Sequence, residues 1–191
     1  KLKSYKNIDT RVVLTGQHLE MVEQVMSIFD LKSDINLKIM KKSNGLKDIT
    51  VEVMNGLTKD YEVYPPDLVI VQGDTTSAFV GALAAFYKKI PVAHVEAGLR
   101  TFNNSDPFPE EVNRKLISQI AILHFAPTSR SKKNLELSNV CGEIFITGNT
   151  VIDALLTISE KVDTSENSKL YPKGKKLILT TIHRRENWGE R

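Results

Sequence analysis

The sequence contains one cysteine, no long hydrophobic run and little excess charge of either sign. The lone Cys141 excludes an internal disulfide and a zinc ribbon, because each requires cysteines in pairs. No stretch is apolar enough to cross a bilayer, and none has the apolar core of a secretory signal. From these features we expect a cytoplasmic protein with no membrane partner.

The net charge is only +3, and the basic residues are scattered in short runs at 41–42, 132–133 and 173–176. No aromatic residues interleave with these runs, whereas single-stranded nucleic acids are bound by basic grooves with aromatic stacking platforms. We therefore expect no nucleic-acid partner. Hydrophobic residues make up 41% of 191 positions, which is enough for a substantial core in one large domain, or one domain plus part of another.

Residues 67–114 form the centre of the chain's organisation. Short apolar runs at 68–71 and 91–95, rich in β-branched residues, flank a helical pattern at 77–87. This arrangement predicts a β-α-β unit with parallel strands and a right-handed crossover. Ligands of such sheets bind at the carboxyl ends of the strands. Asp74 and Glu96 follow these two ends, so we expect the chemistry there.

The rest of the chain alternates between strand and helix patterns, which indicates an α/β fold. Residues 30–46 are predicted as a connection, and 162–175 as a linker. The predicted strands are 10–15, 143–147 and 176–182, and the predicted helices are 19–29, 49–61, 129–137 and 151–158.

Several polar residues have a structural interpretation beside a functional one. Asp74 could simply cap the helix at 77–87, for which Thr75 or Thr76 is the predicted N-cap. Glu110 begins a predicted helix, where the dipole favours acids, and its i,i+4 spacing to Arg114 allows a surface ion pair. Gln17 and the residue after it could form a capping turn. The residues alone leave these alternatives open.

Six short blocks in this order resemble the non-hydrolysing UDP-N-acetylglucosamine 2-epimerases of bacteria and archaea. Each is moderately specific alone, and together they extend from residue 15 to residue 187. The blocks are TGQH at 15–18, QGDTT at 72–76, HVEAGLRT at 94–101, PFPEEVNR at 107–114, GNTVID at 148–153 and HRREN at 183–187.

The resemblance implies a glycosyltransferase-B-like architecture, an α/β fold in which two Rossmann-like domains face each other across a cleft. Residues 1–147 are expected to form most of the N-terminal domain. The family's first strand and its Gly-Thr-Arg-Pro-Glu turn have no counterpart here. Residues 148–191 are expected to form a linker helix and the start of an incomplete C-terminal domain. The family's UDP-holding segment beyond the HRREN block is also missing.

The resemblance further implies reversible 2-epimerisation of UDP-N-acetylglucosamine (UDP-GlcNAc) to UDP-N-acetylmannosamine (UDP-ManNAc), with no cofactor and no metal. The reaction eliminates UDP to give 2-acetamidoglucal and then adds UDP back, and it supplies ManNAc units for cell-surface polysaccharide. By motif match, the residues fall into three groups, which are Asp74, Glu96, Glu110 and His183 for catalysis, Gln72, Arg100 and Arg114 for substrate binding, and Gln17, His18 and Arg184 for a candidate activator site.

Three other functions remain open at this point. A hydrolysing 2-epimerase would release UDP and free ManNAc, although the intact EAGLRT and PFPEE blocks argue against it. A glycosyltransferase of similar architecture would transfer sugar to an acceptor. A non-catalytic sugar-nucleotide-binding fragment would bind without turnover. Family members are commonly dimers, so we also expect a homodimer.

Overall fold

The structure, a computed structural model, describes residues 2–16, 19–39 and 45–161, together with positions 174, 176, 178 and 180. The contacts divide the chain into two compact units, Lys1–Asp153 and Ala154–Arg191. Of the predicted linker at 162–175 only position 174 is described, and of the predicted strand at 176–182 only positions 176, 178 and 180.

Strands and helices alternate along the described chain after a short 3-10 helix, Leu2–Ser4. The strands are β1 Val13–Leu14, β2 Ile35–Asn36, β3 Val69–Gln72, β4 Val92–Val95, β5 Leu123–Ala126 and β6 Glu143–Ile146. The helices are α1 Leu19–Ile28, α2 Leu46–Val63, α3 Thr76–Tyr87, α4 Glu110–Ile120, α5 Ser129–Leu137 and α6 Thr150–Lys161.

Every strand pairing in the described residues is parallel. Strands β1 and β2 form a two-stranded sheet, and β3, β4, β5 and β6 form a four-stranded sheet in that order. Gln72 pairs with Val95 in register, and Val95 pairs with Phe125. Strands β3 and β4 therefore end side by side, and the residues that follow them meet at one edge of the sheet.

Helix α3, which is rich in small residues, packs in the centre of this fold. Val80, Ala82, Ala84 and Ala85 are each 0% exposed, and the helix contacts α2, α4 and β3. Small side chains let the neighbouring helices and the sheet approach closely. The aromatic end of the helix is different, because Tyr87 is 66% exposed.

Most predicted elements are present, with bounds that differ by a few residues. Helix α5 has the bounds predicted for it, and α2 begins earlier and ends later than the predicted helix at 49–61. Strands β2 and β5 were missed, since β2 occupies two residues within the predicted connection at 30–46 and β5 lies in a stretch for which no strand was predicted. No described helix has both the length and the apolar character needed to cross a membrane.

Candidate active site

Asp74 and Glu96 lie at adjacent strand ends. The Gly73 amide donates a hydrogen bond to the Val95 carbonyl at 3.1 Å, which continues the β3–β4 ladder to the residue before Asp74. A Cβ atom placed on Gly73 would lie 3.9 Å from Glu96 Oε2. The Glu96 carboxylate therefore extends toward the end of β3, beside Asp74.

The backbone of Glu96 is in the left-handed region, with φ at +66°. Non-glycine residues seldom adopt this conformation, and it often marks a functional site where the surrounding contacts impose it. Those contacts are present here. The Ala97 amide donates to the Phe125 carbonyl at 3.1 Å, and Asn134 Nδ2 donates to the Gly98 carbonyl at 3.0 Å. The segment after Glu96 is thereby fixed to β5 and α5.

Helix α4 holds Asp74 at two points. Asn113 Nδ2 donates to the Asp74 main-chain carbonyl at 2.9 Å, and the Arg114 guanidinium forms a short ion pair with the Asp74 carboxylate. The Arg114 side chain is only 11% exposed. Arg114 is therefore not part of a surface pair with Glu110. Its carboxylate partners are Asp74 and Glu111. Asp74 is more than a capping acid, because Thr75 is the N-cap of α3.

Glu110 is the first residue of α4 and is partly exposed, whereas Glu111 is fully buried. The Glu111 carboxylate accepts hydrogen bonds from the Thr101 amide at 3.0 Å and the Phe102 amide at 3.2 Å. Burial opposes ionisation of this group. The amides of Thr101 and Phe102, together with the Lys115 ammonium, outweigh that effect and lower the pKa of Glu111.

His94 lies beneath this edge and is 0% exposed. Its Nε2 lies 2.8 Å from the Gly73 carbonyl, which can only accept, so Nε2 carries the proton. Burial lowers the pKa of His94 to about 4, and the positive charge of Arg114 acts in the same direction. The ring is therefore neutral at pH 7 and supports the turn before Asp74 without adding charge.

Comparison with known proteins shows the family to which the chain belongs. The sequence model described as UDP-N-acetylglucosamine 2-epimerase matches residues 1–191. The chain belongs to this family. It is similar to the UDP-N-acetylglucosamine 2-epimerase of Neisseria meningitidis serogroup A, with 46% identity over 198 residues, covering 100% of this chain and 53% of the relative. It is 48% identical over 192 residues to that of Bacillus subtilis strain 168, covering 100% of this chain and 50% of the relative.

Solved structures of the family superpose on the chain. The Neisseria meningitidis UDP-GlcNAc 2-epimerase bound to UDP-GlcNAc has a TM-score of 0.92 at 45% identity, covering 98% of this chain and 53% of that one. The Methanocaldococcus jannaschii epimerase in complex with UDP-GlcNAc and UDP has a TM-score of 0.78 at 36% identity, covering 87% of this chain and 47% of that one. These matches confirm the predicted family and fold class, and the chain spans about half the length of these relatives.

Within this epimerase-family chain, two other predicted binding residues contact different elements. Gln72, at the end of β3, lies with its Nε2 3.5 Å from Thr150 Oγ1 at the start of α6. Arg100 donates to its neighbour's carbonyl, that of Leu99, at 2.8 Å and to Ser118 Oγ at 2.9 Å. Burial lowers the pKa of Arg100, but it starts from a very high value and remains a cation.

The other predicted residues, His183, Gln17, His18 and Arg184, lie outside the described residues. A cavity of about 210 Å³ is lined by residues of β1, α2, β3 and α3, and Asp74, Glu96 and Glu110 are not among them. This cavity therefore does not mark the position of the acids.

Glu111 is the residue that sequence reasoning missed. The motif match assigns a role to Glu110, the first acid of the PFPEE block, and none to Glu111. A buried position in the first turn of α4 was not evident from residue type. The spacing of Glu111 to Lys115, i,i+4 and 3.2 Å in the structure, was a signal that could have drawn attention to it.

Proposed function

We propose that the protein containing this chain interconverts UDP-GlcNAc and UDP-ManNAc by the non-hydrolysing route. The observation that carries the proposal is the meeting of Asp74 and Glu96 at adjacent strand ends, with Arg114 from α4 paired to Asp74. The family and the UDP-GlcNAc bound by the Neisseria relative support the choice of substrate.

The chemical difficulty is the hydrogen on sugar C2, which has no neighbouring carbonyl and is a very weak acid. Elimination avoids a free carbanion. A base takes the C2 hydrogen while the C1–O bond to UDP breaks, which gives 2-acetamidoglucal and UDP. UDP then re-forms the C1–O bond while an acid returns a proton to C2 from the opposite face. The reaction needs a base and an acid on opposite faces, and cations near the diphosphate.

We assign these roles to side chains of this chain. Asp74, Glu96 and Glu110 are the proposed acid and base groups, and Arg114 and Arg100 are proposed to bind the sugar nucleotide together with Gln72. The positive charge of Arg114 acts on Arg100, so an anion bound beside Arg114 would also be attracted by Arg100. His183 as a further catalytic residue, and Gln17, His18 and Arg184 as an activator site, are proposed from the motif match.

The wider role is proposed on the same resemblance. The protein acts as a homodimer in the cytoplasm and supplies ManNAc units for cell-surface polysaccharide. Residues 1–147 belong to the N-terminal Rossmann-like domain, and residues 148–191 to the linker helix and the start of the C-terminal domain.

The test is product analysis. The intact gene product that contains this chain is incubated with UDP-GlcNAc, without added cofactor or metal, and phosphorus and proton NMR follow the products. UDP-ManNAc with the diphosphate still esterified is expected. Free ManNAc with UDP would identify the hydrolysing reaction instead, and binding without any product would leave a sugar-nucleotide-binding module.

A matched pair of variants assigns the activity to the site. Glu96→Gln removes one proposed acid or base and is expected to lower kcat by about 10²-fold or more. Glu136→Gln makes the same change on α5, where the side chain is 54% exposed and only weakly paired to Lys132, and is expected to leave kcat unchanged. Equal rates for the two variants would remove Glu96 from the mechanism.

A further inference from the structure

We propose that Glu111 is a positioning residue, which orients Arg114 on Asp74 and fixes the loop that follows Glu96 and Arg100. This inference rests on the proposed function for its kinetic test. It also makes a structural claim that is tested separately. The juxtaposition behind it is one fully buried carboxylate between the Arg114 guanidinium and two main-chain amides of that loop.

The cost of burying the ionised Glu111 carboxylate must be compensated by its contacts. An ionised carboxylate that is removed from water loses its hydration, and pairing and hydrogen bonds must offset this cost. Glu111 is 0% exposed and has four partners, the Thr101 and Phe102 amides, the Arg114 guanidinium at 3.5 Å and the Lys115 ammonium at 3.2 Å. A residue that only favoured the helix dipole would remain in water, as the partly exposed Glu110 does.

Arg114 takes its orientation from two acids on different elements. One terminal nitrogen, Nη2, pairs with Asp74 and the other, Nη1, faces Glu111. The Nε atom is buried and has no hydrogen-bond partner among the described residues. Loss of Glu111 would leave Asp74 as the single carboxylate that fixes the guanidinium plane. Asp74 itself would stay in place, since Asn113 holds its main-chain carbonyl.

The second half of the role concerns the loop. Thr101 and Phe102 directly follow Arg100, and Thr101 Oγ1 also donates to the Asp106 carbonyl at 2.6 Å. The Glu111 carboxylate is thus bonded to the loop on one side and to the Asp74–Arg114 pair on the other. Through this group, α4 contributes to the position of Thr101 and Phe102 relative to the Asp74–Arg114 pair.

The kinetic test is a double-mutant cycle in the intact gene product. Glu111→Gln keeps the side-chain shape but removes the charge, and it is compared in the wild-type and Arg114→Gln backgrounds. If Glu111 acts through Arg114, Glu111→Gln lowers kcat/KM by about tenfold to a hundredfold in the wild-type background and by less than about threefold beside Arg114→Gln. The same factor in both backgrounds, or no loss at all, would overturn the proposal.

The structural test uses the chain itself and needs no activity. Carbon-13 NMR is expected to show a changed Asp74 carboxylate shift in Glu111→Gln, and faster amide exchange at Thr101 and Phe102. The control Glu136→Gln is expected to change neither. An Asp74 signal and amide exchange unaltered by Glu111→Gln would refute the positioning role. An inactive wild-type gene product would refute the proposed function alone, and this measurement would then decide the role of Glu111.

Discussion

Replacement of Gly98 by alanine perturbs the loop after Glu96, and the resulting loss in free energy of unfolding can be worked out from the structure. Gly98 is buried, with φ at +87°, and an added Cβ would lie 2.3 Å from the Ser131 main-chain carbonyl oxygen. Contacts of a Cβ below 3.0 Å are essentially never seen, so the loop or α5 must shift. That shift also strains the hydrogen bond from Asn134 Nδ2 to the Gly98 carbonyl.

Gly148 provides the matched control, because its φ is +76° and an added Cβ would meet nothing within 4 Å. Gly148→Ala therefore has only the left-handed penalty, about 1–2 kcal/mol, offset by about 0.4–1 kcal/mol from the less flexible unfolded chain. Gly98→Ala has the same left-handed penalty and two further costs in stability, which are about 1–3 kcal/mol for the backbone overlap and about 1 kcal/mol for the weakened hydrogen bond. We expect Gly98→Ala to be more destabilising than Gly148→Ala by about 2–4 kcal/mol.

The assay is urea unfolding of the chain, followed by far-ultraviolet circular dichroism for the wild type and both variants. The midpoint and slope give the free energy of unfolding of each. Free energies for the two variants that agree within about 0.5 kcal/mol would refute the reasoning, because the close approach of α5 would then have no energetic consequence.

Three further predictions concern single contacts. His94 has a pKa of about 4 in the folded state against 6.5 when unfolded, so its contribution to stability is present above pH 6.5 and is lost as the pH falls. Between pH 7 and pH 5, the free energy of urea unfolding should therefore fall by about 2 kcal/mol less in His94→Gln than in the wild type. Equal decreases in the two proteins would contradict this. Thr75 Oγ1 accepts from the Ala78 amide at 3.1 Å, so Thr75→Ala should cost about 1 kcal/mol and Thr75→Ser much less, and equal midpoints for the two would exclude the cap. Asp60 is 4% exposed and pairs with Arg11 at 2.7 Å, so Asp60→Asn should lower the free energy of unfolding by about 1–3 kcal/mol, an effect that should be nearly absent in an Arg11→Gln background.

The parts of the fold that were predictable have strong local patterns. Strands β3 and β4 are compact apolar runs, and α3 and α5 begin at threonine caps that the chain supplies locally. Strand β2 has no comparable pattern. It consists of Ile35 and Asn36, and it exists because β1 pairs with it across the chain. Two residues carry no periodicity, so only the tertiary contact defines them.

The site was predictable to the level of the strand ends. Parallel pairing brings Asp74 and Glu96 together, and that followed from the β-α-β pattern. The partners of Arg114 did not follow, because the i,i+4 rule favours Glu110, whereas Asp74 is 40 positions away and Glu111 is at i,i+3. Glu110 and Glu111 are the same residue type and differ by about 100° around the helix. Which of them is buried depends on the loop that packs against α4.

We propose that epimerisation proceeds by cleavage of the C2–H bond at the acids that follow β3 and β4 and begin α4. The measurement that tests it most directly is incubation of the intact gene product with UDP-GlcNAc in heavy water, followed by proton NMR of the sugar C2 position. We expect loss of the C2 proton signal as UDP-ManNAc forms, and retention of that signal in Glu96→Gln. UDP-ManNAc that forms with its C2 proton retained would contradict the account.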